Sequence, residues 1–384
     1  MDTLFGGKIV VFGGDFRQIL PVIQKGTRQD IVAASLNSSY LWSHVTVLKL
    51  TVNMRLGGIA TSSTDVDTRK FAEWILDIGN GNVDESEDGV FDIKVPEDLL
   101  ITDSVDPVSS LISTVYPEYL LNLSNPQYYQ QRAILAPTHE VVDIINDRMM
   151  HCLEGEERSY LSSDSICASQ RDTDFNSELY NTDFLNSIEV GGLPKHNLRL
   201  KVGVPVMFLR NVDQAGGMCN STRLQVTELR EIIIKAKILT GTNVGKITAI
   251  SRMLIVPTDK RIPFRFQRRQ YPLSVCCTMT INKSQGQSLE HVGLFLPKPV
   301  FSHGQLYVAL SRPESIAGGL NRYRNVIIAV KRSRTNQKRM QEKKKKENGS
   351  GVVKLWVLMV MIIGNGLMVR GFGGDGEVVV YLGD

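Results

Sequence analysis

Residues 132–150, RAILAPTHEVVDIINDRMM, decide the fold class. The RAILA segment is a short apolar run of the kind that fills a strand buried on both faces. Pro137 and Thr138 break it, and from there to Met150 the apolar residues Val141, Val142, Ile145 and Met149 recur at helical spacing. Strand, tight turn and helix together form the building block of α/β sheets, so an α/β fold is expected.

Upstream, Lys8–Phe12 (KIVVF) reads as a buried strand that hands Gly13, Gly14 and Asp15 to a loop. A short helix over Arg28–Leu36 is capped by Thr27, and Val45–Leu50 is a second strand. Asp67–Ile78 places Phe71, Trp74, Ile75 and Ile78 on one helical face, with Gly79 as the stop. The acidic stretch that follows, GNGNVDESEDG, is a loop. Downstream, from Val204 to Val256, the texture changes to short alternating strands (VPVMFL, RLQVTEL, EIIIKAKI, MLIV). These predict a small antiparallel barrel inserted into a second α/β domain. Helical and parallel-strand signals return at Ser274–Ser284, His291–Leu296 and Gly304–Ser311.

The 384 residues, 42% hydrophobic and 22% charged, have room for two domains and exclude a collagen-like, wholly disordered or disulfide-stapled chain. Residues 331–346 hold nine Lys and Arg against Glu342 alone; they contribute +8 to a net charge of +4 and leave −4 for the rest. Basicity is therefore a property of the tail and does not by itself indicate nucleic-acid binding. Residues 340–384 show no consistent period and are expected to be disordered. The five Cys, with no C-x-x-C, fit inert thiols in a reducing compartment, and the six scattered His never reach metal-ligand spacing. No metal site is expected. The Val352–Ile363 run contains Lys354 and is too short for a convincing membrane span.

Four segments carry chemistry, in this order: Gly13-Gly14-Asp15-Phe16-Arg17-Gln18, Leu50-Thr51-Val52-Asn53-Met54-Arg55, Thr280-Ile281-Asn282-Lys283-Ser284-Gln285-Gly286-Gln287-Ser288-Leu289 and Tyr307-Val308-Ala309-Leu310-Ser311-Arg312. On residues alone, Gln18 sits just past a strand end, where it can sense a terminal phosphate or orient water. Arg55 and Arg312 can supply the fixed cations that phosphoryl transfer needs. The Lys283–Gly286 turn combines ammonium, hydroxyl, amide and glycine, and suits phosphate gripping. Each has a plainer reading: Asp15 and Arg17 as an ion pair in a turn, Arg55 and Arg312 as surface arginines, Lys283 as a solvated one, His139 as a helix-start residue.

In their order, the four segments resemble motifs III, IV, V and VI of superfamily 1 DNA helicases, and most closely the PIF (petite integration frequency) family with its Helitron-type relatives. Leu135-Ala136-Pro137-Thr138, Val202–Met207 and Asn220–Leu224 resemble the same family, and the likeness covers roughly residues 4–312. It implies RecA-like lobes: a partial first lobe over 1–50, a complete second lobe over 51–330 with an SH3-like β-barrel insert at about 223–270, and a disordered basic tail over 331–384. It also implies Gln18, Arg55 and Arg312 as catalytic residues, and Gly14, Asp15, Gln18, Arg55, Gly286 and Arg312 around ATP. Thr138, His139, Lys283, Ser284 and Gln285 would contact single-stranded DNA. ATP and Mg2+ are the cofactors of the intact family.

Two parts of such a motor are not found in these residues: a phosphate loop G-x-x-x-x-G-K-[ST] and the metal-holding carboxylate of a following strand. Gly241–Ile247 comes nearest, but its glycines are one residue too close and Ile247 cannot hold magnesium. Reading Asp15 as that carboxylate is the alternative to motif III. After Arg312, Pro313-Glu314-Ser315 departs from the family's continuation. The expectation is a truncated 5′-to-3′ DNA helicase with roles in repair, recombination and telomere upkeep. It binds neither cofactor competently alone, has no membrane partner and is placed in the nucleus. The alternative is a non-catalytic strand-binding remnant or a transposon-derived product without function.

Overall fold

The computed structural model describes residues 4–23, 26–50, 63–83, 91–101, 105–123, 125–167, 180–257, 259, 262–287, 289–298, 300, 304–313, 326–330, 354–357 and 376–381. The fold is α/β. Two compact units divide it, one formed by residues 1–107 with 284–384 and the other by 108–283.

The first stretch runs β1 (Val10–Gly14), α1 (Arg28–Ala33), β2 (Val45–Leu50), α2 (Ser63–Asn80), β3 (Phe91–Lys94) and β4 (Leu100–Ile101). The Thr27 cap of α1 is present as a full capping box with Asp30, which satisfies amides that the helix start would otherwise leave open. One expectation needs correcting: Gly79 does not stop α2 but lies inside its last turn. A Cβ there would fall 2.7 Å from the Tyr307 ring and 2.9 Å from Arg17 Cδ, so glycine serves close approach rather than termination. Of the expected stripe, Ile78 is buried and Phe71, Trp74 and Ile75 are half-buried. Most of the acidic loop lies outside the described residues.

The second unit contains α3 (Pro107–Val115, from its second residue), α4 (Pro126–Gln130), β5 (Arg132–Ala136), α5 (His139–Cys152), β6 (Arg158–Leu161), β7 (Ser163–Ile166), α6 (Thr182–Ser187) and β8 (Asn197–Leu200). It continues with β9 (Pro205–Phe208), β10 (Arg223–Leu229), β11 (Ile233–Ile238), β12 (Ile247–Ser251), β13 (Met253–Ile255), β14 (Phe266–Gln270), β15 (Leu273–Val275) and β16 (Thr278–Thr280). The decisive stretch folds as read: Ala133–Ala136 are fully buried in β5, and α5 buries Val142, Ile145 and Met149. β16 lies parallel to β5 with Thr280 opposite Ala136, and α5 packs on both. Asn146 of α5 fixes the start of β16, accepting from the Thr278 amide at 2.7 Å and donating to the Val275 and Thr278 carbonyls.

The alternating strands form a five-stranded antiparallel sheet, β12-β11-β10-β9-β15, and a three-stranded one, β13-β14-β7. β12 was not anticipated, because ITAIS is too short and too polar to stand out beside its neighbours. The buried guanidinium of Arg268 holds the second sheet to its loops. It pairs with Asp164 at 2.7 Å and donates to the carbonyls of Leu185, Asn186, Ile188 and Pro194.

The last stretch adds β17 (His291–Leu296), α6's successor α7 (Gln305–Leu310), β18 (Val326–Val330), β19 (Lys354–Val357) and β20 (Gly376–Tyr381). In the first unit β17, β18 and β4 run parallel. β20 pairs antiparallel with β1 and β2, and β19 with β3. The tail was expected to lack structure throughout; these two segments correct that. The KLWV and EVVVY stretches are rich in branched and aromatic residues that favour strands, and each meets a strand with an open edge. No helix among the described residues is long and apolar enough to cross a membrane.

Candidate functional site

The loop that leaves β1 is built around Asp15. One carboxylate oxygen accepts from the Arg17 amide at 3.1 Å and from Arg17 Nε at 2.9 Å, which is the ion-paired turn that the plain reading anticipated. The other oxygen accepts from the Tyr307 hydroxyl of α7 at 2.9 Å. Arg17, only 9% exposed, also lies over the Tyr307 ring with 5.7 Å to its centroid. Burial and the Asp15 charge push the Tyr307 hydroxyl up to about 12, while the Arg17 and Arg312 charges act in the opposite sense. The phenol therefore stays a donor at every working pH.

Gly304 brings the two segments this close. It caps the N-terminus of α7 at φ +74°, and a Cβ on it would meet the Gln18 carbonyl at 2.4 Å. Gln18 is the half-buried end of the Asp15 turn: its amide donates to the Asp15 carbonyl at 3.1 Å, and its side-chain oxygen accepts from Gln285 Nε2 at 2.9 Å. Arg312, two residues past α7, is held on its own helix by Nε donation to the Val308 carbonyl at 3.1 Å. Residues of the first, third and fourth sequence motifs are thus gathered in one unit, with Gly14 exposed on β1 and Gly286 in an exposed turn at φ +78°. Ser284 beside them is buried. Arg55 lies outside the described residues.

This arrangement bears on the cofactors in two ways. Gln18, Gln285 and Arg312 offer neutral and cationic donors that suit phosphate oxygens. For magnesium the site offers Asp15, whose two oxygens are engaged by Arg17 and Tyr307, and no group of three or more His, Cys, Asp or Glu among the described residues is disposed to hold a metal.

The second unit presents a separate edge. Because β5 and β16 are parallel neighbours, the turns that follow them emerge at the same end, where ligands of parallel sheets bind. The turn after β5 carries Thr138 and the exposed His139; the turn after β16 carries Lys283. Thr138 starts α5 with no side-chain cap bond. Lys283 is half-buried, its ammonium on Asn220 Oδ1 at 3.3 Å, and burial and then the Arg210 charge hold its pKa below the usual lysine value. Cys276 and Cys277 are buried in the same unit, and burial pushes both thiols up, Cys277 to about 12, which makes them inert.

Sequence reasoning missed Tyr307, Gly304 and Gly79 as organisers of the Asp15 turn. Tyr307 stood in a quoted motif, but only its distance from Asp15 reveals the role. Arg210 and Asn220 were also missed, although Asn220 lies in a stretch read as family-like.

Two families match the chain: PIF1-like helicase over residues 1–89, and the 2B domain of DNA helicase Pif1 over residues 183–229. Among curated relatives, the ATP-dependent DNA helicase PIF1 of Xenopus laevis is 29% identical over 187 residues, covering 46% of this chain and 25% of the relative. That of Homo sapiens is 27% identical over 180 residues, with the same coverage. The chain thus spans about a quarter of the length of these relatives. Among solved structures, the Pif1 helicase of Candida albicans is 20% identical, covering 87% of this chain and 67% of that one at a TM-score of 0.47. Bacteroides Pif1 bound to ssDNA is 19% identical, covering 86% and 65% at 0.48. In the segments 1–89 and 183–229, and in the curated relatives that share its sequence, this chain is similar to PIF1-type superfamily 1 helicases.

Proposed function

We propose that the chain is part of an ATP-dependent PIF1-type DNA helicase, moving 5′ to 3′ on a single strand and serving repair, recombination and telomere upkeep in the nucleus. The observation that supports this most strongly is the meeting of Asp15, Gln18, Gln285 and Tyr307, side chains from three separated motifs, at the end of β1. In this reading Tyr307 and Arg17 fix the Asp15 turn, and the turn presents the Gln18 amide. Arg312, on the helix that Tyr307 belongs to, supplies a cation to developing phosphate charge. ATP, when bound, supplies the phosphoryl group whose transfer drives movement.

The 384 residues contain no G-x-x-x-x-G-K-[ST] and hold no magnesium set among the described positions, so on their own they turn ATP over poorly. We read lobe boundaries near residues 50 and 330, with the antiparallel sheets as an SH3-like insert. Strand contact falls to Thr138, His139 and Lys283 at one edge and to Ser284 and Gln285 in the chain that follows. Binding of a labelled thymidine oligonucleotide, compared with a duplex of the same length, tests the reading. Preference for the single strand with affinity falling steeply as salt rises is expected. Equal, weak and salt-insensitive binding of both would count against it.

A further inference from the structure

β1 and β2 lie in one sheet but do not pair with each other. β20 runs between them, antiparallel to both, so β1 and β2 are mutually parallel and form the two walls of a slot one strand wide. Pairing is continuous on both sides of that slot. Tyr381 stands opposite Val10 and Val45, Val380 opposite Val11 and Thr46, and Val379 opposite Phe12 and Val47. Val378 follows opposite Gly13 and Leu48, and Glu377 opposite Gly14 and Lys49. Whatever fills the slot must satisfy backbone groups on two sides, which demands an extended chain without proline. The run Val378-Val379-Val380-Tyr381 is rich in the residue types that favour strands, and Glu377 at a register position opposite Lys49 sets unlike charges at one end.

Two observations point to a second copy of the chain as a source of that β-strand. The connection between β19 and β20, residues 358–375, contains Gly364, Gly366, Gly371, Gly373 and Gly374. It can span at most about 60 Å, roughly twice the diameter of a small domain. The sheet also carries an apolar face that the rest of the molecule leaves open. Val11, Leu48 and Leu50 fall on one face by strand alternation and are 62%, 52% and 59% exposed. Val378 and Val380 hold register positions on that same face. A second copy presents the identical face, and two such sheets can cover each other.

We propose that the slot between β1 and β2 is a strand-exchange site that accepts residues 376–381 of a second copy in place of its own. Exchange of an identical element reproduces every pairing of the closed chain, so it costs no contacts, and reciprocal exchange closes a two-fold dimer.

Cysteine cross-linking of the full chain tests the exchange. Thr46→Cys is placed in one copy and Val380→Cys in another, each also carrying Cys152→Ser to remove an exposed thiol. Opposite positions on neighbouring antiparallel strands lie at a separation that a disulfide spans. The two copies, equilibrated together and mildly oxidised, should give a covalent heterodimer. A tenfold excess of unmodified chain should cut the yield about tenfold, because its β-strands compete for the same slots. Val379→Cys, one register position away and on the opposite face, should give little product with Thr46→Cys. Circular dichroism checks the fold of each variant, and Lys49→Cys with Glu377→Cys repeats the test at the other end of the slot.

A chain carrying both Thr46→Cys and Val380→Cys reports closure within one copy. Internal closure without any heterodimer in the mixture would overturn the exchange. Equal yields from Val379→Cys and Val380→Cys would reduce the product to random collision. No disulfide in the double variant or in the mixture would remove β20 from the slot and sink the proposal with it.

Discussion

Tyr307 is a phenol whose working part is a single hydrogen bond. Its hydroxyl reaches an Asp15 oxygen that the Arg17 ion pair leaves open. Tyr307→Phe removes that donor and keeps the ring, so urea unfolding should show a loss of about 1–2 kcal/mol. Asp15→Ala should cost at least as much, since it also removes the Arg17 contact, and the double variant less than the sum, because both single changes remove the Tyr307–Asp15 bond. Additive losses would mean that the bond contributes nothing. The buried Arg268–Asp164 pair behaves differently. Removing one member by Arg268→Ala strands a buried carboxylate and four carbonyls, and about 3–5 kcal/mol should be lost. A loss below about 1 kcal/mol would show that water reaches Asp164. Both pairs were out of reach of a sequence reading: Asp15 and Arg17 are two residues apart and could be paired on paper, but Tyr307 and Arg268 find their partners only through the fold.

Elements were more legible than contacts. β5, α5 and β17 lie where the apolar periodicity puts them, because each is buried by its own regular pattern; β2 also forms where expected, and β1 forms over most of its expected run, but both are largely exposed rather than buried. The same patterns misjudged Gly79, since glycine near a helix end signals a stop only when no neighbour crowds the α-carbon. This gives a prediction whose sign is unusual. In an ordinary helix Gly→Ala stabilises by about 0.5–1 kcal/mol. In α2, Gly79→Ala should destabilise, because its methyl meets the Tyr307 ring and Arg17 at under 3 Å. A raised melting temperature would show that α2 and α7 do not pack as described.

The α1 capping box supplies a pH prediction. Hydrogen bonds from the Thr27 backbone and side chain hold the Asp30 carboxyl below its ordinary value. Its contribution is present above the unfolded carboxylate pKa and is lost as pH falls through the lower folded value. The protection of the α1 amides, taken relative to their intrinsic exchange rate at each pH, should therefore fall in acid below about pH 4, and Asp30→Asn should remove much of that acid response.

For the whole molecule, the ordered motifs made the family resemblance legible before any coordinates, and the site at the end of β1 followed from it in outline. What stayed hidden was geometry between distant segments: the phenol under Arg17, the Gly304 approach to Gln18, and the seat of β20 between β1 and β2. Arg55 lies outside the described residues, so its role stays with the motif order alone. In the proposed function the chain carries side chains for strand contact and phosphate sensing, and its residues contain no G-x-x-x-x-G-K-[ST]. ATP hydrolysis with magnesium, with and without single-stranded DNA, tests this most directly on protein already shown to bind the strand. The account predicts a bound strand and no stimulation of turnover. Strand-stimulated hydrolysis that Arg312→Ala abolishes would contradict it, and would send attention back to Asp15 as a metal ligand.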